Sequence, residues 1–160
     1  MNFKKFAKAL SVAVIALTLV FALAGCGDTK ATLDYVNSLK EVTESAQTVN
    51  TSLYTQIQAI DLEDESTKQA VIDSITELEG IYKKFAELKA PKKLAEVQES
   101  FKAGSEKGLE GLAMYKETFQ GMTADSDMTQ VQESLLEGDE IMTEAQKLIQ
   151  EGLDKAEKLS

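Results

Sequence analysis

Apolar and small residues recur along most of the chain at steps of three and four. Starting at Tyr35 they fall at Leu39, Val42, Ala46, Val49, Leu53, Ile57 and Ile60. Positions three and four apart share one face of a helix, whereas a half-buried strand alternates every second residue. A second stripe carries Val71, Ile75, Leu78, Tyr82, Phe85 and Leu88. A third runs Leu94, Val97, Phe101, Gly104, Gly108, Leu112, Tyr115, Phe119 and Met122. The fourth passes from Met128 through Val131, Leu135, Gly138, Met142, Ala145, Ile149, Gly152 and Ala156 to Leu159. This spacing predicts helices over 31–60, 66–89, 91–120 and 127–159.

The interruptions have their own chemistry. DLEDES (61–66) parts the first two stripes, with Ser66 suited to cap the second helix. KAPKK (89–93) parts the second and third, and Pro91 fits a first helical turn. GMTADSD (121–127) parts the last two, with Gly121 as C-cap and Asp125, Ser126 or Asp127 as the next N-cap. Short connections favour antiparallel neighbours, and helices of this length extend about 35–48 Å. The expected fold is all-α, an antiparallel up-down-up-down four-helix bundle over 31–160. A three-helix or extended coiled-coil packing is the alternative.

Ahead of the first stripe the pattern changes character. MNFKKFAK is basic, and Ala9–Ala22 is an uncharged run of 14 residues followed by small ones. A basic start, a short apolar core and a small-residue exit make a secretory signal peptide. A spanning helix needs about 20 apolar residues, and the run from Ala9 to Gly25 reaches 17. Leu23-Ala24-Gly25-Cys26 then resembles the lipobox of bacterial lipoproteins: a branched apolar residue, two small ones and a cysteine. The resemblance covers the leader alone. It implies that residues 1–25 are removed, that Cys26 becomes a diacylglyceryl-modified N-terminus, and that 26–30 form a short tether. It also implies a place on the extracytoplasmic face of a bacterial cell membrane. Two acyl chains hold stably where one is marginal. An Asp directly after the cysteine favours inner-membrane retention in that family; here Gly27 stands there and Asp28 follows.

Charge narrows the function. Every basic residue is a lysine, and beyond residue 25 there are 14 of them against 27 acids, a balance of −13. Binding to nucleic acid rests on basic contacts to phosphate, so no nucleic-acid partner is expected. A single cysteine permits no internal disulfide. Histidine is absent, which excludes Ser–His and Cys–His catalysis, histidine-ligated zinc and the Glu-x-x-His di-iron sites of bundles. No glycine-rich phosphate loop is present, and the apolar stripes hold no Asp or Glu. A non-catalytic protein without cofactor follows. Asp61, Glu63 and Glu65 alternate as calcium-loop ligands do, and Asp125 and Asp127 would share their end of a bundle, making the five weak metal candidates. They lack the twelve-residue calcium pattern and its glycine, so a solvated loop is the better reading.

An antiparallel bundle would gather the acids of 61–66 and 121–127 at the end far from the tether. Lys83, Lys84, Lys89, Lys92, Lys93, Lys155 and Lys158 would gather at the near end. Lysines at helix C-termini also complement the helix dipole. Glycine inside helices is the other oddity: Gly80, Gly104, Gly108, Gly111, Gly138 and Gly152 each cost about 1 kcal/mol against alanine. Close packing is one account, with Phe101 over Gly80 and Ile57 filling a thin layer at Gly111 and Gly138. A groove lined by Gly104, Gly108, Gly111 and Gly138 is the other. The tyrosines read as core edges with a wet hydroxyl. The expected function is a membrane-anchored module binding an extracytoplasmic protein partner. The alternative is a carrier or sensor for a small apolar or amphipathic ligand between the glycine-bearing helices.

Overall fold

The computed structural model describes residues 30–159. The leader, Cys26 and most of the tether therefore lie outside the described residues. Four long helices follow one another: α1 Lys30–Gln58, α2 Glu65–Glu87, α3 Ala95–Gly121 and α4 Met128–Glu157. The fold is an all-α four-helix bundle, with one 3-10 turn among the described residues, Lys92–Leu94, ahead of α3. None of these helices is long and apolar enough to cross a membrane.

The apolar stripes become the core. Leu53, Ile57, Ile75, Phe85, Phe101 and Phe119 are among the fully buried side chains, and charged residues cover the opposite faces. Burial of such large side chains removes about 1.5–3 kcal/mol of apolar exposure each, which is what makes helices of modest intrinsic propensity persist. The Phe85 and Phe101 rings stack with centroids 5.1 Å apart and join α2 to α3.

Cross-links at two levels fix the up-down-up-down order. At the tether end, Tyr35 of α1 donates its hydroxyl to Gln98 Oε1 at 2.6 Å. The Gln98 amide donates in turn to the Phe85 and Ala86 carbonyls at the end of α2, and Lys155 of α4 donates to Ser100 of α3 at 2.8 Å. At the far end, Ser74 of α2 donates to Gln56 of α1. There the buried Lys68 donates to the Met122 carbonyl just past α3 at 3.1 Å. The last carbonyls of a helix lack internal partners and carry partial negative charge, so a lysine there both satisfies and neutralises.

The packing is uneven. Each helix packs on its neighbour in sequence, most extensively α3 on α4, then α2 on α3, and least α1 on α2. The α1–α4 pair, which would close the ring, scarcely approaches backbone to backbone.

Three boundaries differ in detail from the expected ones. Asp64, not Ser66, caps α2: its carboxylate accepts from the Ser66 N–H at 2.9 Å. Carboxylate and hydroxyl are both good caps, and the chain enters the helix two residues earlier than a Ser66 cap would require. The third helix begins at Ala95 because Pro91 accepts a tight turn, Leu94 N–H to Pro91 carbonyl at 2.8 Å, before α-helical bonding starts. Gly121 is the last residue of α3 and Met122 the C-cap, in an extended conformation. Asp127 caps α4, accepting from Thr129 N–H at 2.8 Å.

Candidate functional site

The helical glycines explain themselves once the neighbours are in place. A β-carbon at Gly108 would clash with the edge of the Tyr82 ring. One at Gly138 would stand 2.6 Å from the Tyr115 ring, and one at Gly152 2.6 Å from the Phe101 ring. At Gly104 it would meet Ile149 at 2.6 Å and the Ala145 carbonyl at 2.9 Å; at Gly111 it would meet the Met142 sulfur at 2.7 Å. Four of these five glycines sit on the α3–α4 seam, so the seam is a ladder of glycine hollows filled by rings and long side chains. The space over Gly104, Gly108, Gly111 and Gly138 is thus occupied, and no open groove runs along them. Phe101 lies over Gly152 rather than Gly80, around which no atom comes within 4 Å of a β-carbon position. Met142, not Ile57, fills the layer at Gly111.

Polar groups cross the same seam. The buried Tyr115 hydroxyl donates to Asp139 Oδ1 on α4. Burial pushes the half-buried Asp139 carboxyl above the usual carboxylate range, opposed by the bond from Tyr115. Burial and the Asp139 charge push the Tyr115 phenol strongly upward, so it stays a donor at any physiological pH. Burial alone raises Tyr82 and Tyr35. Lys116 on α3 pairs with Glu79 on α2 at 2.8 Å. Among the described residues, Ser105 Oγ is the one fully buried side-chain polar atom without a hydrogen-bond partner.

The acids expected at the far end are there, engaged in shaping loops. Asp61 accepts from the Glu63 N–H at 3.0 Å, and Asp61 N–H donates to Thr67 Oγ1 at 2.9 Å. The bonds from the Ser66 hydroxyl and N–H hold the fully exposed Asp64 carboxyl below its ordinary range. Asp127 is consumed as the α4 cap, and Glu63, Glu65 and Asp125 are exposed. No three of the acids among the described residues converge as a metal-holding group.

What the far end does offer is a groove of about 560 Å³ between α3, the 122–127 loop and the start of α4. Its lining mixes the apolar Met114, Met122 and Val131 with Thr118, Ser126, Gln130 and Ser134, and it bears the exposed carboxylates Glu117, Asp127 and Glu137. Flexible methionines adapt to varied apolar shapes, and the carboxylates favour a cation. Of these residues the sequence pattern places Met122 and Val131 on apolar stripes and Asp127 among the far-end acids. Met114, Glu117 and Glu137 lie off the apolar stripes and come together only through the α3–α4 register. A second hollow, about 540 Å³, lies on the α1–α2 side around Glu41, Glu44, Thr48 and Glu77.

Residues 29–152 match the profile of a protein family described as Domain of unknown function (DUF7018). No curated protein and no solved structure matches the chain significantly.

Proposed function

The chain belongs to the DUF7018 family, and we propose that it is a non-catalytic binding module tethered to the extracytoplasmic face of a bacterial membrane. In this reading a diacylglyceryl group on Cys26 is the anchor, and a protein partner is taken at the end of the bundle remote from it. The observation that carries the partner half is the groove at the α3–α4 end, with Met114, Met122 and Val131 in its lining and its exposed carboxylates. Such a lining suits an amphipathic segment that presents apolar side chains to these three residues and lysine or arginine to the carboxylates. The anchor half is supported by the lipobox-like Leu23-Ala24-Gly25-Cys26, placed four residues before α1 starts at Lys30.

Photo-crosslinking in the native membrane tests the partner half. A photoreactive residue at Gln130, on the groove, is expected to yield a discrete protein adduct that Glu117→Gln with Glu137→Gln weakens. One at Thr48, on the α1–α2 hollow, is expected to yield none. Equal adducts from both positions would remove the groove from the proposal. Labelling with a radioactive fatty acid tests the anchor: incorporation is expected in the wild type and absent in Cys26→Ser. The carrier reading loses the feature that prompted it, because the hollows at Gly104, Gly108, Gly111 and Gly138 hold side chains of the protein itself.

A further inference from the structure

We propose that the end of the bundle opposite the groove is a contact surface for anionic lipid headgroups, centred on the α2–α3 turn. The segment KKFAELKAPKK, residues 83–93, holds five lysines and one glutamate in a chain that is otherwise strongly acidic. Lys83, Lys84, Lys89, Lys92 and Lys93 are all exposed. None of them forms an ion pair with a described residue, whereas Lys40, Lys68, Lys102, Lys107 and Lys116 all pair with carboxylates. The turn therefore gathers five exposed lysines without ion-pair partners at one place.

Helix-dipole complementation does not account for it. Lys83 and Lys84 lie near the C-terminus of α2 and gain from the dipole, but Lys89, Lys92 and Lys93 lie past the helix end at Glu87. Lys92 and Lys93 open the next helical segment, where the positive end of the dipole disfavours a cation. A charge kept against a local electrostatic penalty points to something outside the bundle.

Two further features of this end fit a bilayer. Of the three large hydrophobic side chains left exposed among the described residues, Leu33 lies in the first turn of α1 and Leu159 two residues past the end of α4. They are 52% and 49% exposed and lie at the same end of the bundle as the lysine turn. Lysines over phosphates with apolar side chains at headgroup depth is the arrangement by which peripheral surfaces hold anionic membranes. The chain preceding α1, with its apolar run Ala9–Ala22, also joins the bundle here. The surface deepens the anchor reading, on which its permanent proximity to a bilayer rests. With the lysines seated, the bundle stands on its basic end and turns the carboxylate-bearing groove outward.

Lysine footprinting on the full chain, purified from bacterial membranes and mixed with vesicles, tests this directly. Vesicles are phosphatidylcholine alone or equal parts phosphatidylcholine and phosphatidylglycerol, and a water-soluble acetylating reagent reports each lysine by mass spectrometry. Acetylation at Lys83, Lys84, Lys89, Lys92 and Lys93 is expected to slow several-fold on the anionic vesicles and to recover in molar salt, since screening removes surface attraction. Lys40 and Lys102, on the bundle's sides, are the reference and should not change. Equal rates at the turn on both vesicle types would overturn the surface. Flotation with the neutral vesicles reads the acyl anchor separately: a chain that fails to float loses the anchor yet still reports headgroup protection on the anionic vesicles.

Discussion

The outer helices α4 and α1 are held by different means. α4 meets α3 across a seam where glycines admit rings: Tyr115 over Gly138, Phe101 over Gly152, Met142 over Gly111. α1 buries no glycine; its inward face includes Thr32, Thr43 and Asn50 among the aliphatics. Six of its hydroxyls, from Ser38 to Thr55, donate to the carbonyl four residues back. Such back-bonding competes with the helix and slightly weakens it, and only Thr143 does it in α4. The contrast teaches that α3–α4 is specified by shape, while α1 is specified by its apolar pattern and by polar links near its two ends, Tyr35–Gln98 and Ser74–Gln56. A shape-specified seam concentrates its stability in a few contacts. A pattern-specified one spreads it and opens more easily.

The sharpest way to break the comparison is at Gly138. Gly138→Ala brings a β-carbon to 2.6 Å from the Tyr115 ring, which is fully buried and held by its bond to Asp139. Overpacking outweighs the gain in helix propensity, and a net loss of about 2 kcal/mol is expected in thermal unfolding. An unchanged Tm would refute the shape argument. The reverse effect is expected in α1. Thr48, Thr51 and Thr55 are exposed, and replacing all three by Ala should stabilise by about 1.5 kcal/mol through propensity, slowing amide exchange in α1 before it does so in α3 or α4. Gly80→Ala comes next: with open space around it, the same substitution that damages Gly138 should stabilise, by up to about 1 kcal/mol.

The smallest effect concerns pH. The folded-state pKa of Asp139 is raised by burial. Its protonated form therefore adds stability in acid, below the unfolded value near 3.9, and that increment is lost as pH rises through the folded value. The difference in stability between the wild type and Asp139→Asn should shift against the wild type from about pH 4 toward neutrality. A difference independent of pH, followed by denaturant titration, would show that Asp139 does not titrate abnormally.

Much of the fold was legible because burial writes a 3.6-residue period into sequence. The stripes from Tyr35 to Ile57 and from Val131 to Ala156 are the buried faces observed. Partners across the core were less legible. Folding the chain at its turns places Phe101 level with Gly80, but level along the axis does not decide which neighbour a ring leans on. That depends on the rotation of each helix, and α3 turns Phe101 toward Gly152 of α4. The groove was invisible for the same reason: Met114 and Glu137 are unremarkable on their own helices and meet only across the α3–α4 register. The Tyr35–Gln98 link likewise joins residues 63 apart in sequence, one of them off every apolar stripe.

That link has a mechanical side. Any pull on the chain ahead of Lys30 enters the bundle through α1, its most loosely packed helix, at the end where Tyr35 grips Gln98 and Gln98 grips the last carbonyls of α2. The load would peel α1 away residue by residue, because the force acts at one end of its contact and not along it. The first resistance is this three-way clasp, and the glycine-and-ring seam behind it, running between two other helices, bears none of the strain until α1 has gone.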